Sequence, residues 1–121
     1  MPMTIEKIIE ENETSQSLYK KVVAAVERIG PCSLGFTKSQ VAFRRKRAFA
    51  WVWVPAQYLK RAGMAPLVLT LSLPYRDSSP RWKEVVEPSP GKFTHHLELW
   101  QPGDLDAQVE AWLRKAWLEA G

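Results

Sequence analysis

The hydrophobic period of this chain changes twice, and that change limits the fold more than any single residue does. Leu18, Val22, Val26 and Ile29 recur at helical spacing. Between Gln40 and Trp100 the apolar residues alternate as in strands, and from Leu105 through Val109, Trp112, Leu113 and Ala116 the helical stripe returns. A helix buries its stripe by packing on another layer, so this order predicts an α+β protein. The expected architecture is an antiparallel sheet of about four to five strands, with an N-terminal and a C-terminal helix packed on one face. A chain of 121 residues suits one core, and a single domain over 1–121 is expected.

The elements can be placed from their punctuation. Thr14 or Ser15 is the expected N-cap of the first long helix, and Gly30-Pro31 stops it. Ahead of it, Thr4–Glu11 can form a short helix with Ile5, Ile8 and Ile9 on one side, which makes 1–13 a loosely docked extension. Strands are expected at Gln40–Arg44, Ala48–Val54, Leu67–Leu73 and Phe93–Trp100. The first two form a hairpin whose tip is the basic run Arg44-Arg45-Lys46-Arg47. Pro55–Ala62 is expected to make a helical turn ended by Gly63. In the long connection from Pro74 to Lys92, Ser79 and Pro80 read as a helix start. Asp104 is the expected N-cap of the last helix, and Glu110 and Arg114 are spaced for an i,i+4 pair.

Composition excludes several classes. Hydrophobic residues make up 45% and charged residues 25%, which argues against disorder. Cys32 is the sole cysteine, so no intramolecular disulfide can form and a reducing, cytoplasmic setting is expected. No apolar run resembles a signal peptide or approaches the roughly 20 residues of a membrane span. The net charge of +4, from 17 basic and 13 acidic side chains, is too mild to imply nucleic acid by itself. Six tryptophans are more than one core readily hides, so some are expected at a surface.

Side chains alternate across a sheet, and the last strand divides accordingly. Phe93, His95, Leu97 and Leu99 form one side; Thr94, His96, Glu98 and Trp100 form the other. If helices cover the leucines, His96, Glu98 and Trp100 face outward, with Phe49, Trp51 and Trp53 of the hairpin able to join them. The alternative is that these aromatics pack under the helices. Arg81 and Lys83, at the expected helix start, would suit an anion. His95 and His96 project to opposite faces and cannot readily hold one metal ion. His96 and Glu98 share a face and are spaced for an acid/base couple. Cys32 follows a helix end, where a thiolate is not stabilised. No nucleophile elbow, phosphate-binding loop or dinucleotide fingerprint occurs, and neither a metal nor a cofactor is expected.

A wider pattern is also present. Lys38-x-x-Val41-Ala42-Phe43, Phe49-Ala50, Leu71-x-Leu73, Ser79-Pro80-Arg81-Trp82-Lys83, Phe93-x-His95-His96-Leu97, Asp104-Leu105-Asp106 and Trp112-Leu113-x-x-Ala116 together resemble the bacterial domain of unknown function 5655, from about Leu18 to the C-terminus. The resemblance implies a compact domain that occurs alone or attached to other modules, and it carries over no catalytic residues. Relatives tend to have tyrosine where this chain has Trp117, an exchange that keeps an aromatic.

Three functions are therefore weighed. The first is a small cytosolic binding module for an anionic or aromatic ligand or a protein partner, using His96, Glu98, Trp100, Arg81, Lys83 and Trp51. The second is a nucleic-acid-binding accessory domain using Arg44, Arg45, Lys46 and Arg47, since a two-stranded ribbon fits the major groove. The third is an enzyme with His96 and Glu98 as acid and base. The ligand and the oligomeric state stay open, a homodimer among the options.

Overall fold

The structure, a computed structural model, describes residues 5–55 and 63–121. Two helices come first, α1 at Ile5–Glu10 and α2 at Glu13–Ile29. Six strands follow: β1 Ser33–Phe36, β2 Val41–Arg44, β3 Ala48–Trp53, β4 Leu67–Leu73, β5 Glu84–Ser89 and β6 Lys92–Leu99. Helix α3 at Ala107–Glu119 closes the order. The strands make one antiparallel sheet in the order β1-β2-β3-β4-β6-β5. The protein is thus α+β, with one strand more than the upper expectation.

Strand alternation assigns the faces. Ala50 and Val52 of β3, Leu67, Leu69, Leu71 and Leu73 of β4, and His95, Leu97 and Leu99 of β6 lie toward the helices. They join Leu18, Val22 and Val26 of α2 and Val109, Trp112, Leu113 and Ala116 of α3 in one core. Every strand position of β4 that faces this core is leucine, as expected for a central strand flanked on both sides. Ile5 and Ile9 are buried in the same cluster. From Ile5 on, the N-terminal segment packs on the core, because its isoleucines on one side give even a six-residue helix apolar area to bury.

The caps differ from expectation by a few residues, each for a tertiary reason. Asn12 caps α2, its Oδ1 accepting from the Ser15 N–H at 3.0 Å. Ser15 is not the cap, because its buried hydroxyl donates to the Pro66 carbonyl at 2.7 Å. Asp106 caps α3, accepting from the Val109 N–H at 3.1 Å. Asp104 instead accepts from the Trp100 and Gln101 N–H groups at 2.8 and 3.1 Å, closing a short 3₁₀ turn at Pro102–Asp104. Glu110 bridges to Arg28 of α2 rather than to Arg114.

Two strands had no readable alternation. All four residues of β1 are exposed, and β5 holds only two half-buried valines beside Glu87 and Pro88. The expected helix start at Ser79 is a turn, in which Ser79 Oγ accepts from the Arg81 N–H at 3.2 Å. The helical turn expected over 55–62 falls, from residue 56 on, outside the described residues. Among the described residues no helix is long and apolar enough to cross a membrane.

Candidate functional site

All described helices lie on one side of the sheet, so among the described residues the opposite face is built mainly of strand side chains. In register across it run Ala42 of β2, Trp51 and Trp53 of β3, Val68, Thr70 and Ser72 of β4, Thr94, His96 and Glu98 of β6, and Glu84 and Val86 of β5. Two shallow depressions open here, one on the face itself and one at its end. One, of about 460 Å³, is lined by Gln40, Trp51, Trp53, Thr70, Thr94 and His96. The other, of about 360 Å³, lies at the sheet end, where Trp51, Ser72 and Thr94 of this face meet Phe49, Leu73 and the end of α3 at Ala116, Glu119 and Ala120; it is rimmed by Arg44, Arg47 and Lys92, with Glu119 the one carboxylate in its lining. Trp51 and Thr94 line both.

A hydrogen-bonded chain orders the first depression. The Trp53 Nε1–H donates to Thr70 Oγ1 at 3.2 Å, and Thr70 Oγ1 lies 2.8 Å from His96 Nδ1. An indole nitrogen can only donate, so the Thr70 hydroxyl accepts from Trp53, while toward His96 Nδ1 it donates or accepts according to the imidazole tautomer. The Trp53 and His96 rings meet edge to face, with centroids 6.4 Å apart. Burial pushes the His96 pKa down, and Glu84, its cross-strand neighbour, opposes the shift incompletely. The imidazole is therefore neutral at pH 7.

The other residues singled out from the sequence are distributed unevenly. Glu98 shares the face with His96 but accepts from Lys83 Nζ at 3.1 Å, so the two carry separate partners. Trp100 stands beyond the end of β6, 47% exposed. Arg81 lies on the helix side, engaged within the fold. One of its terminal nitrogens reaches both carboxylate oxygens of Asp106 at 3.0 and 2.9 Å and Gln108 Oε1 at 2.9 Å; the other donates to the Asp104 carbonyl at 2.9 Å. Arg81 and Lys83, expected to serve an anion together, are paired separately, Arg81 with Asp106 and Lys83 with Glu98.

Arg81 belongs to a clamp dictated by topology. The chain must leave β4 and pass β6 to reach the edge position of β5, and the 74–83 connection does so on the helix side. His95 sits beneath it, fully buried. Its Nε2 accepts from the Asp77 N–H at 3.0 Å, and its Nδ1 lies 3.1 Å from the Phe93 carbonyl, which fixes a neutral ring with the proton on Nδ1. Asp77 in turn accepts from Trp82 Nε1 at 2.8 Å and from the Ser79 N–H at 3.0 Å. The Trp82 ring packs on His95 and Trp112, with centroids at 4.8 and 4.2 Å. Burial would raise the Asp77 carboxyl, but the bonds from Trp82 and Ser79 and the field of His95 outweigh it and hold the group low. The bond from Arg81, with that from the Val109 N–H, holds Asp106 low as well.

The basic hairpin tip also has an internal role. The N–H groups of Lys46 and Arg47 donate to the Ala120 carbonyl at 3.0 and 3.2 Å. Arg45 donates to the Trp117 carbonyl at 3.2 Å with its guanidinium 3.6 Å over the Trp117 ring, and Arg47 donates to the Glu119 carbonyl. The tip thus satisfies the orphan carbonyls at the negative end of α3. Of the four basic side chains, Arg44 and Arg47 also line the second depression.

Sequence reasoning grouped Trp51 and Trp53 on this face, with Phe49, which is instead buried in the core, and missed Thr70 and the approach of Arg44 and Lys92. The alternation in β3 already set Trp51 beside Trp53, but Thr70 sits in an apolar strand with no local sign of a partner. Among the described residues no group of three or more His, Cys, Asp or Glu is placed to hold a metal ion.

Fold and site together define a small α+β protein whose antiparallel sheet is covered by helices on one face and presents tryptophan and histidine on the other. Residues 5–119 match the family described as Domain of unknown function (DUF5655), and the chain belongs to that family. No curated protein and no solved structure matches it.

Proposed function

We propose that this protein is a binding module whose ligand lies on the sheet face opposite the helices, with a planar ring against Trp51 and His96 and an anionic group toward Arg44, Arg47 and Lys92. The observation that carries this reading is the continuity of the two depressions through Trp51 and Thr94. One end offers aromatic surface with an imidazole ordered through Thr70, and the other offers three cationic side chains. Volumes of about 460 and 360 Å³ suit a small molecule. The acid/base reading has less support, since His96 and Glu98 each hold a different partner. The nucleic-acid reading also has less, since Arg45 is bonded to the Trp117 carbonyl and stacked on its ring, which leaves the basic run divided.

The test is an NMR titration with adenosine monophosphate and phenyl phosphate, each carrying a ring and an anion, beside adenosine and inorganic phosphate, each carrying one of the two. The expected result is shifts at Trp51, Thr94 and His96, tighter binding of the combined probes than of the single ones, and loss of binding in Trp51→Ala. Shifts confined to other surfaces, or none at millimolar probe, would overturn the reading.

A further inference from the structure

The two edges of the sheet are built differently. At the β5 edge, Glu84, Glu87 and Pro88 are exposed and the pairing register shifts between Val86 and Ser89, all features that discourage a further strand. The β1 edge, Ser33-Leu34-Gly35-Phe36, has no charge, no proline and no bulge. The Thr37 N–H donates to the Gln40 carbonyl at 3.0 Å, and by alternation Gly35 and Ser33 also bond toward β2. The N–H and C=O groups of Leu34 and Phe36 therefore point outward.

The side chains of Leu34 and Phe36 lie on the helix side, opposite Phe43 and Val41. They are 36% and 46% exposed. Beside Leu34 is a depression of about 260 Å³, walled by Val23, Val26, Cys32 and Phe43 and bordered by Glu27.

We propose that β1 pairs antiparallel with β1 of a second copy of this chain, about a two-fold axis through Gly35, joining two six-stranded sheets into one. This register sets Leu34 opposite Phe36 of the second copy, and each such pair exchanges both outward N–H and C=O groups. Phe36 of the second copy then lies beside Leu34, at the mouth of the apolar depression. The two-fold repeats each of these contacts, as an isologous interface requires. Gly35 meets itself as a non-hydrogen-bonded pair. A Cβ there has no heavy atom within 4 Å in the single chain.

Sedimentation velocity over a range of concentrations tests the association, and a disulfide tests the register. The wild type is expected to dimerise with a Kd in the micromolar range, and Phe36→Lys to weaken this by about tenfold or more while leaving the circular dichroism melt unchanged at concentrations below that Kd, where both are monomers. In a Cys32→Ser background, Gly35→Cys is expected to form an intermolecular disulfide on mild oxidation, because the two Cα atoms of such a pair lie about 4.5 Å apart. Ser33→Cys in the same background, facing Thr37 of the second copy, is expected to cross-link far more slowly. A wild type that stays monomeric to about 1 mM would overturn the proposal. So would a dimer that Phe36→Lys leaves intact, or equal cross-linking at positions 33 and 35. A monomeric wild type that instead takes up an unrelated extended peptide at β1 would likewise overturn it, in favour of an edge that serves other proteins.

Discussion

His95 donates its Nδ1 proton to the Phe93 carbonyl and accepts at Nε2 from Asp77, so protonating it means breaking the second bond. Burial depresses its pKa, with Phe93 and Asp77 opposing incompletely, and burial depresses that of His96 too. The unfolded chain therefore binds these protons at higher pH than the folded one. The resulting stability is fully present above about pH 6.5 and is lost as pH falls through the depressed folded values. These are the only histidines in the chain. Urea midpoints measured from neutral pH toward pH 5 should therefore decline in the wild type and stay nearly flat in His95→Gln/His96→Gln. Asp77 and Asp106, both shifted down, add stability that is present above the ordinary carboxylate range and is lost only as pH falls through their folded values. Replacing His95 with Phe leaves the Asp77 N–H without its acceptor and should cost about 1–3 kcal/mol by urea unfolding. Lysine cannot reproduce the fork of Arg81, and since that pair is partly exposed, Arg81→Lys should cost only about 1 kcal/mol.

At the scale of elements, the hairpin tip and α3 stabilise one another. The carbonyls of Trp117, Glu119 and Ala120 receive Arg45, Arg47 and the tip amides. Arg45→Ala/Arg47→Ala should therefore lower stability by about 1–2 kcal/mol, less at high salt, in the absence of any ligand. Arg44→Ala/Lys46→Ala should be nearly neutral in the same unfolding assay, which makes it the cleaner variant for testing nucleic-acid binding. The same end of α3 reaches the end of α2: Trp117 Nε1 donates to the Pro31 carbonyl at 3.0 Å, and a Cβ on Gly30 would sit 2.3 Å from the Trp117 ring. That ring is held between Arg45 and Pro31 and has little room to give. Gly30→Ala should cost about 1–3 kcal/mol and lower the melting temperature accordingly.

For the molecule as a whole, a sheet with β4 at its centre and β1 and β5 at its edges predicts graded opening. Amides of β4 should exchange with solvent only on global unfolding. Those of Leu34 and Phe36 should exchange fastest within the sheet at low protein concentration and become protected as dimer forms. Hydrogen exchange followed by mass spectrometry at two protein concentrations checks both statements.

Periodicity and local punctuation determined the class of fold, both long helices, the hairpin, the central leucine strand and the opposite facing of His95 and His96. Those features follow from spacing along the chain, which a strand or helix converts directly into a face. Tertiary structure alone decided the rest. It placed β1 and β5 at the edges, where half-exposed strands show no alternation. It drew Arg81 into the clamp, because the crossing over β6 leaves backbone and carboxylate groups there that need donors and cations. It turned Arg45 and Arg47 onto the end of α3, and it set Thr70 between Trp53 and His96. Each of these is a contact between residues far apart in sequence, and no local pattern records the partner that a charge or a hydroxyl will find once the layers have packed.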